Sequence, residues 1–120
     1  MIHCVVLKEG ENMKCQDLLT LSLKQVNDVT LDGDIEDVYI GDLLSEVMAS
    51  GQEGMLWLTV QKHLNVIAIA HLHDFAGIVF VQDHYPDGDA IDKATDLQIP
   101  LFVSDKDAFT LAKELITLGL

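Results

Sequence analysis

Short apolar runs alternate with longer segments of helical pattern over most of the chain after residue 35. The predicted strands are 38–40, 55–60, 78–81 and 101–103, and the predicted helices are 43–49, 64–74, 90–97 and 109–118. Such alternation is typical of a largely parallel sheet. Because the strands are apolar throughout rather than at every second position, both faces of the sheet should be covered. The sequence therefore predicts an α/β fold of three layers, a mostly parallel sheet flanked by helices.

The ends of these elements carry turn and capping residues. Asp42 and Asp107 are candidate N-caps, and Gly119 should end the last helix. Before residue 35 the pattern is weaker: it indicates a strand over 2–7, a polar turn over 8–12, a short helix over 15–21 and an acidic loop up to residue 37. A chain of 120 residues has the size of one domain, so we expect a single domain over 1–120, with 1–34 the part least defined by pattern.

The charge of the chain excludes two classes of partner. Twenty acidic residues against seven basic ones leave a net charge of −13, which repels nucleic acid and anionic membrane surfaces. No apolar run approaches the ~20 residues of a membrane span. The two cysteines, Cys4 and Cys15, lack CxxC spacing, and no basic, apolar leader precedes them. These features predict a cytoplasmic protein with reduced thiols.

Polar side chains crowd the stretch LTVQKHLN at residues 58–65, where a predicted strand passes into a predicted helix. Thr59, Gln61, His63 and Asn65 thus lie at the carboxyl end of a strand, where ligands of open α/β sheets bind. The N–H groups and dipole of the helix favour an anion, and His63 adds a proton-dependent charge. The alternative is a simple turn in which Thr59 or Asn65 satisfies backbone groups.

A second turn of the same kind follows the predicted strand at 38–40, where Gly41 permits a tight bend. If the two strands are neighbours, Asp42 and Ser45 face the same crevice as Gln61 and His63. The alternative for Asp42 is the N-cap of the next helix. We therefore predict a ligand-binding set made of Asp42, Ser45, Thr59, Gln61, His63 and Asn65.

Sharp catalytic and metal-binding motifs are absent from the sequence. His71 and His73 are two residues apart on a predicted helix and point about 200° apart, so they do not share one ion. The acidic loop over 83–89 departs from the calcium-loop pattern at its third and twelfth positions. There is no P-loop, GxSxG or HExxH. We expect no metal, no cofactor, no catalytic residue and no kinase activity.

Five stretches of the chain resemble the DRTGG domain, the module at the N-terminus of HPr kinases and within some phosphotransacetylases and CBS-containing pyrophosphatases. They are GDLLSEVM at 41–48, LTVQKHLNVIAIAHL at 58–72, AGIVFV at 76–81, YPD at 85–87 and IPLFVSDKDAFTLAKEL at 99–115. The likeness spans roughly two thirds of the chain and is greatest to stand-alone members of the family. It implies an α/β, HPr kinase N-terminal-domain-like module, a regulatory or ligand-sensing accessory that does not itself catalyse and is often a dimer.

The chain departs from the motif that names this family. Where the family has Gly-Asp-Arg, residues 61–63 are Gln-Lys-His, and where it has Thr-Gly-Gly, residues 81–83 are Val-Gln-Asp. Without the arginine and both glycines, Gln61, His63 and Asn65 should form a different site at the same place. We interpret the polar cluster as a ligand cradle.

The favoured function is a non-catalytic regulatory or ligand-sensing domain that binds a small polar or anionic ligand. A nucleophile, base and orienter do not occur together in one cluster, as catalysis would need. The alternatives are a small enzyme with His63 as general acid or base and Asp42 as its partner, or a pure dimerisation scaffold. A partner protein is a further candidate ligand.

Self-association is expected as a homodimer. Apolar residues cluster around one predicted strand and helix, and a domain this small does not easily bury all of them alone. These residues are Leu44, Val47, Met48, Met55 and Trp57.

Overall fold

The computed structural model describes residues 12–120. The predicted strand over 2–7, and all but the last residue of the turn over 8–12, lie outside that range. The described elements are, in chain order, β1 (Met13–Lys14), a 3₁₀ helix (Cys15–Thr20), β2 (Lys24–Gln25), β3 (Asp34–Ile35), β4 (Asp37–Ile40), α1 (Leu44–Ser50), β5 (Met55–Thr59), α2 (Asn65–Leu72), β6 (Gly77–Phe80), α3 (Gly88–Asp96), β7 (Leu101–Val103) and α4 (Ala108–Leu118).

A five-stranded sheet in the order β2-β7-β6-β5-β4 forms the middle of the molecule. Strands β4 to β7 are parallel and each pairs with the next along the chain, whereas β2 runs antiparallel to β7. Strands β1 and β3 pair antiparallel in a small separate sheet. The predicted α/β fold with a mostly parallel sheet is confirmed, and the predicted elements after residue 35 end within two residues of the observed bounds.

Each face of the sheet buries its own apolar cluster, which explains why the strands are apolar at successive positions. Trp57 and Phe80 belong to the cluster beneath α1, α2 and α3. Leu58 and Phe102 belong to the cluster on the opposite face, which α4 and the N-terminal residues cover. All four side chains are at most 1% exposed. The expected three layers are therefore present.

The stretch predicted as an acidic loop up to residue 37 instead contains two short strands, β2 and β3. Beyond β2, the Val26 N–H donates to the carbonyl of Leu101 at 2.9 Å. Asn27 then bonds two backbone groups through its side chain: Nδ2 donates to the Ile99 carbonyl at 2.8 Å, and Oδ1 accepts from the Leu101 N–H at 2.9 Å. The Asn27 side-chain amide thus takes the place of a backbone peptide group in pairing with the edge of β7.

Of the two predicted N-caps, the structure confirms one. Asp107 caps α4, because its carboxylate accepts from the Thr110 N–H at 2.8 Å, and Gly119 ends α4 with φ of 131°. The predicted N-cap Asp42 is wrong: α1 begins after Leu43 with no side-chain cap. The Asp42 carboxylate instead accepts hydrogen bonds from Thr59 and Val60 at the end of β5.

The apolar residues taken as evidence for a dimer are mostly buried within the chain. Val47, Met55 and Trp57 are at most 9% exposed. The Trp57 Nε1–H donates to the Gly41 carbonyl at 2.8 Å, which satisfies its one polar atom. Met48, by contrast, is 44% exposed. The premise that these residues need a partner is therefore wrong for three of the five. In the described part of the chain no helix has the length and apolar character of a membrane span.

Candidate functional site

The carboxyl ends of the four parallel strands meet at one edge of the sheet, and backbone hydrogen bonds join the loops that follow them. The loop after β6 donates from Gln82 N–H to the Lys106 carbonyl at 3.0 Å and from Asp83 N–H to the Ser104 carbonyl at 2.9 Å. Farther along the same loop, the Asp87 N–H donates to the Lys62 carbonyl at 2.9 Å. The loops after β5, β6 and β7 are therefore held as one rim.

Three of the predicted site residues form one hydrogen-bonded network at this rim. Asp42 Oδ1 accepts from the Thr59 hydroxyl at 2.8 Å and from the Val60 N–H at 2.9 Å. The Gln61 side chain closes the network by donating from Nε2 to the Asp42 carbonyl at 2.9 Å. Because β4 and β5 are neighbours, Asp42 and Gln61 lie within hydrogen-bond distance of each other. Asp42 is thereby a brace between two strand ends.

Hydroxyl groups shape two of the strand ends in the same way. Thr59 Oγ1 accepts from the Gln61 N–H at 3.1 Å, and Ser104 Oγ accepts from the Lys106 N–H at 3.1 Å. Both side chains are at most 2% exposed. Such bonds from a hydroxyl to the N–H two residues on stabilise turns. Thr59 therefore stabilises the turn, as the simple-turn alternative states. The side chains of Gln61 and His63 instead contact residues outside the turn, Asp42 and Asp87.

His63 lies beside Asp87 rather than Asp42. Its Nδ1 is 2.7 Å from Asp87 Oδ2, and the two side chains are 66% and 41% exposed. The predicted pairing of His63 with Asp42 is wrong, because Asp42 points to Thr59 and Val60. Sequence reasoning missed Asp87, which lies 24 residues after His63 in a loop interpreted as a turn. Its position directly before α3, at the carboxyl end of a strand, could have indicated a site residue.

Ser45 and Asn65 lie apart from the Asp42 network. Ser45 is exposed in the first turn of α1, and Asn65 is the exposed first residue of α2. Within residues 12–120 neither side chain makes a hydrogen bond. Asn65 does not satisfy backbone groups at the turn, so that part of the simple-turn alternative is wrong.

The start of α2 differs electrostatically from the other helix starts at this rim. Asp87 and Asp89 lie at the start of α3, Asp107 caps α4, and Glu46 lies in the first turn of α1. The first turn of α2 has no acidic residue, and Leu64 precedes it. The Val66 and Ile67 N–H groups donate to the His63 and Leu64 carbonyls, so they are not open to a ligand. The positive end of the α2 dipole is nevertheless not balanced by a carboxylate in the first turn of the helix.

Three of the chain's lysines lie at this end of the sheet, among the aspartates of the same loops. Lys24, Lys62 and Lys106 are three of the chain's seven basic residues. Lys24 reaches the rim from β2, with Nζ 5.9 Å from the centre of the Tyr85 ring. Lys106 Nζ is 2.8 Å from a carboxylate oxygen of Glu114. Lys62 is exposed next to His63, directly before α2. Sequence reasoning missed Lys24, because β2 carries no strand pattern.

The backbone of the loop after β6 explains the glycines of the resembling motif. Gln82 and Asp83 stand where the DRTGG motif has its two glycines, and their φ angles are +54° and +57°. Glycine adopts this left-handed conformation without steric strain, whereas other residues rarely do. The turn forms in this chain without glycine, and residues 82 and 83 are exposed at the rim.

No group of three or more histidine, cysteine or acidic side chains within residues 12–120 is arranged to hold a metal ion. His73 instead bonds the main chain, with Nε2 2.8 Å from the Met48 carbonyl.

The fold defines the class of protein that this chain resembles. A solved structure with the same α/β architecture contains the CBS and DRTGG domains of the regulatory region of Clostridium perfringens pyrophosphatase, in complex with its activator, diadenosine tetraphosphate. The TM-score is 0.67 at 18% sequence identity. The match covers 84% of this chain and 44% of the other, so this chain spans less than half of that regulatory region. The chain thus has a DRTGG-like fold. No protein-family model and no curated protein matches it.

Proposed function

We propose that the chain is a DRTGG-type regulatory domain that senses a small anionic ligand at the carboxyl edge of its sheet and acts as a homodimer. The ligand lies at the start of α2, against Gln61, Lys62 and His63. The Asp42–Thr59–Gln61 network holds this loop in place, with Ser45 and Asn65 at the border of the site. Ligand binding requires neither catalysis nor a cofactor.

One observation carries this proposal: among the four described α-helices, α2 alone starts without an acidic residue of its own, and it follows a lysine and a histidine. An anion is stabilised by the positive end of a helix dipole and by cations at contact distance. Most of the charges behind the net −13 act from farther away, and salt screens them beyond about 8 Å. The nearest opposing charge is Asp87, with a carboxylate oxygen 2.7 Å from His63 Nδ1, so the proposal requires Lys62, His63 and the helix dipole to outweigh it.

The regulatory neighbour supports the class of function. That protein's regulatory region is described with a nucleotide activator, so a fold of this type occurs in a ligand-responsive region. For this chain we extend the parallel only to the chemical class, a small molecule bearing phosphate or carboxylate groups. The lack of an arginine in residues 61–63 argues for a ligand bound through lysine and imidazole, not through a bidentate guanidinium contact.

A small enzyme is the second candidate, and the His63–Asp87 pair favours it. A carboxylate at 2.7 Å from Nδ1 orients an imidazole and leaves Nε2 directed away from that carboxylate, which is the arrangement of a general base. Both side chains are largely exposed to water, however, so the site lacks the exclusion of solvent that favours such chemistry. Turnover of a bound ligand that disappears in both His63→Ala and Asp87→Asn would establish this candidate.

The proposal is tested by thermal-shift and calorimetric titration with phosphate, nucleotides, dinucleoside polyphosphates and small carboxylates. A ligand at a hundred times its Kd stabilises the folded state by about 2.7 kcal/mol. Lys62→Ala and His63→Ala should each weaken binding about 10-fold or more, as expected for loss of a charged hydrogen bond. Lys93→Ala on α3 and His71→Ala at the far end of α2 are matched controls and should leave binding unchanged.

Two results would contradict this placement. One is a ligand that keeps its full affinity in both Lys62→Ala and His63→Ala, which would move the site elsewhere. The other is equal weakening by Lys93→Ala, which would reduce the effect to overall charge.

A further inference from the structure

The outward surface of helices α1 and α2 carries a patch of exposed apolar side chains. Leu43 and Leu64 precede the two helices and are 62% and 42% exposed, while Met48 and Leu72 lie toward their carboxyl ends and are 44% and 64% exposed. Ala68, also exposed, lies between Leu64 and Leu72 on α2. We call these five residues the α1–α2 patch. Large exposed apolar side chains grouped on two neighbouring helices are typical of an interaction site.

The two helices beneath the patch are joined in a defined arrangement. His73, directly after α2, has Nε2 2.8 Å from the Met48 carbonyl in α1, and its ring stacks on Phe75 with centroids 5.6 Å apart. Val47 and Val66 pack in the cluster below. The ends of the two helices that carry Met48 and Leu72 are therefore joined to each other, so a partner can bind there without reordering the helices.

Charge separates this surface from the rest of the helix layer. Of the seven residues of α1 and the eight of α2, Glu46 is the one acidic residue. Helix α3, in the same layer, has three aspartates among nine residues. Two copies of a chain with a net charge of −13 repel each other, so contact is least unfavourable where acidic groups are sparse. The exposed Asp42 and Asp74, directly before Leu43 and two residues after Leu72 in the chain, belong at the border of such a contact. A basic partner, in contrast, would be drawn to α3 and the acidic surfaces. The charge pattern therefore favours a second copy.

The spacing along α2 has the symmetry that a second copy requires. Leu64, Ala68 and Leu72 are spaced at every fourth position and lie on one side of the helix. A leucine thus lies four residues before Ala68 and another four residues after it. In a two-fold antiparallel pair, Leu64 of one copy faces Leu72 of the other, and Leu72 faces Leu64, which is the reciprocity of an isologous interface. A small residue at the centre lets the helix axes approach to about 8 Å.

We propose that the α1–α2 patch is the homodimer interface, with α2 of each copy packed antiparallel about a two-fold axis at Ala68. The proposal rests on the homodimer of the proposed function and names the surface that forms it. It leaves the side chains of Lys62 and His63 at the rim of the sheet, outside the row of contacts.

Sedimentation velocity over a concentration series tests the interface directly. Leu72→Glu should raise the dimer dissociation constant about 100-fold or more, because it buries an unpaired charge. Ile116→Glu on α4 is the matched control: Ile116 is 69% exposed and Leu72 is 64%, and both changes replace a four-carbon apolar side chain with a carboxylate. The control should leave the dissociation constant within about twofold of the wild type, and circular dichroism should show both variants folded.

Mixing two variants tests the pairing within the interface. Leu64→Lys and Leu72→Glu should each be monomeric alone, yet an equimolar mixture should form a heterodimer. The antiparallel arrangement places the introduced lysine of one chain against the introduced glutamate of the other, so the two charges neutralise each other. Co-purification on a tag carried by one variant detects this heterodimer. In a parallel arrangement each residue would face its own copy, and no mutual rescue would follow.

Three outcomes would overturn the proposal: a wild type that stays monomeric at the highest concentration, a dimer that Ile116→Glu dissociates as strongly as Leu72→Glu, and a mixture without heterodimer. None of these depends on the ligand. Leu72→Glu is also tested for ligand binding. If this variant is monomeric but binds the ligand as the wild type does, while Lys62→Ala weakens binding, the interface and the ligand site are separate features. Failure at either place is then distinguishable.

Discussion

Asn27 offers a direct measure of how firmly the antiparallel edge of the sheet is attached. Its side chain bonds two backbone groups that face no other strand at this point, the Ile99 carbonyl and the Leu101 N–H. Asn27 is 9% exposed, Ile99 is 5% and Leu101 is inaccessible, so water does not readily replace the amide. The informative change is Asn27→Ala, which removes both bonds without adding a group.

The expected loss follows from the two groups that Asn27→Ala leaves without a partner. Each buried, unsatisfied backbone group costs about 1–3 kcal/mol, so the free energy of unfolding should fall by about 2–6 kcal/mol. That is a large part of the roughly 5–15 kcal/mol typical of a folded domain. Asn27→Asp keeps the acceptor for Leu101 but places a carboxylate against the Ile99 carbonyl, and it should be no more stable than Asn27→Ala.

Urea titration monitored by tryptophan fluorescence measures this loss. Trp57 is the only tryptophan and is fully buried in the sheet, so its emission reports global unfolding. Asp28→Ala, an exposed neighbour, is the control and should change stability by less than about 0.5 kcal/mol. A loss below about 1 kcal/mol for Asn27→Ala would show that the two backbone groups are solvated or find other partners.

Three further changes test other parts of the fold. Burial raises the pKa of the Cys15 thiol from 9.0 to about 11, so the unfolded chain loses this proton first and stability should fall as pH rises through that interval; urea titrations should show a shallower fall in Cys15→Ala. The Thr110 N–H lowers the pKa of Asp107, so the stability from this cap should be lost as pH falls through that lowered value, with a flatter acid limb in melting curves of Asp107→Asn. Gly54→Ala should lower stability by about 1–2 kcal/mol in urea, because Gly54 has φ of +81° and a Cβ there would approach the Glu36 carboxylate to 2.7 Å; an unchanged midpoint would refute this.

The central sheet was predictable because each strand is an unbroken apolar run followed by a helix of clear pattern. Val79 and Phe80, for example, have no polar neighbour within β6, and only a strand covered on both faces suits such a run. Residues 12–36 lack this signal. Strand β2 has two residues, and Asn27 acts through a side chain that bonds residues more than 70 positions away. Pattern within a short window does not contain that information.

The positions of the candidate residues on the fold were predictable, but their hydrogen-bond partners were not. The position of Gln61 and His63 after a strand followed from the alternation of elements. Whether Asp42 caps its own helix or braces β5 depends on the distance between two loops, which sequence spacing does not define. The same limit applies to His63 and Asp87: they belong to successive loops, and only the parallel neighbours β5 and β6 bring them together.

The order of strands also has a consequence for the sequence of folding events. Strands β4, β5, β6 and β7 pair in the order in which they are synthesised, so each can add to an existing edge over a short connection. Strand β2 comes earlier in the chain but has no partner until β7 is complete, because Lys24 pairs with Val103. Closing so long a loop is slow relative to local contacts. The segment of β2 and Asn27 should therefore be the last to dock during biosynthesis, and a ribosome-bound chain that ends before β7 should leave this segment open to protease.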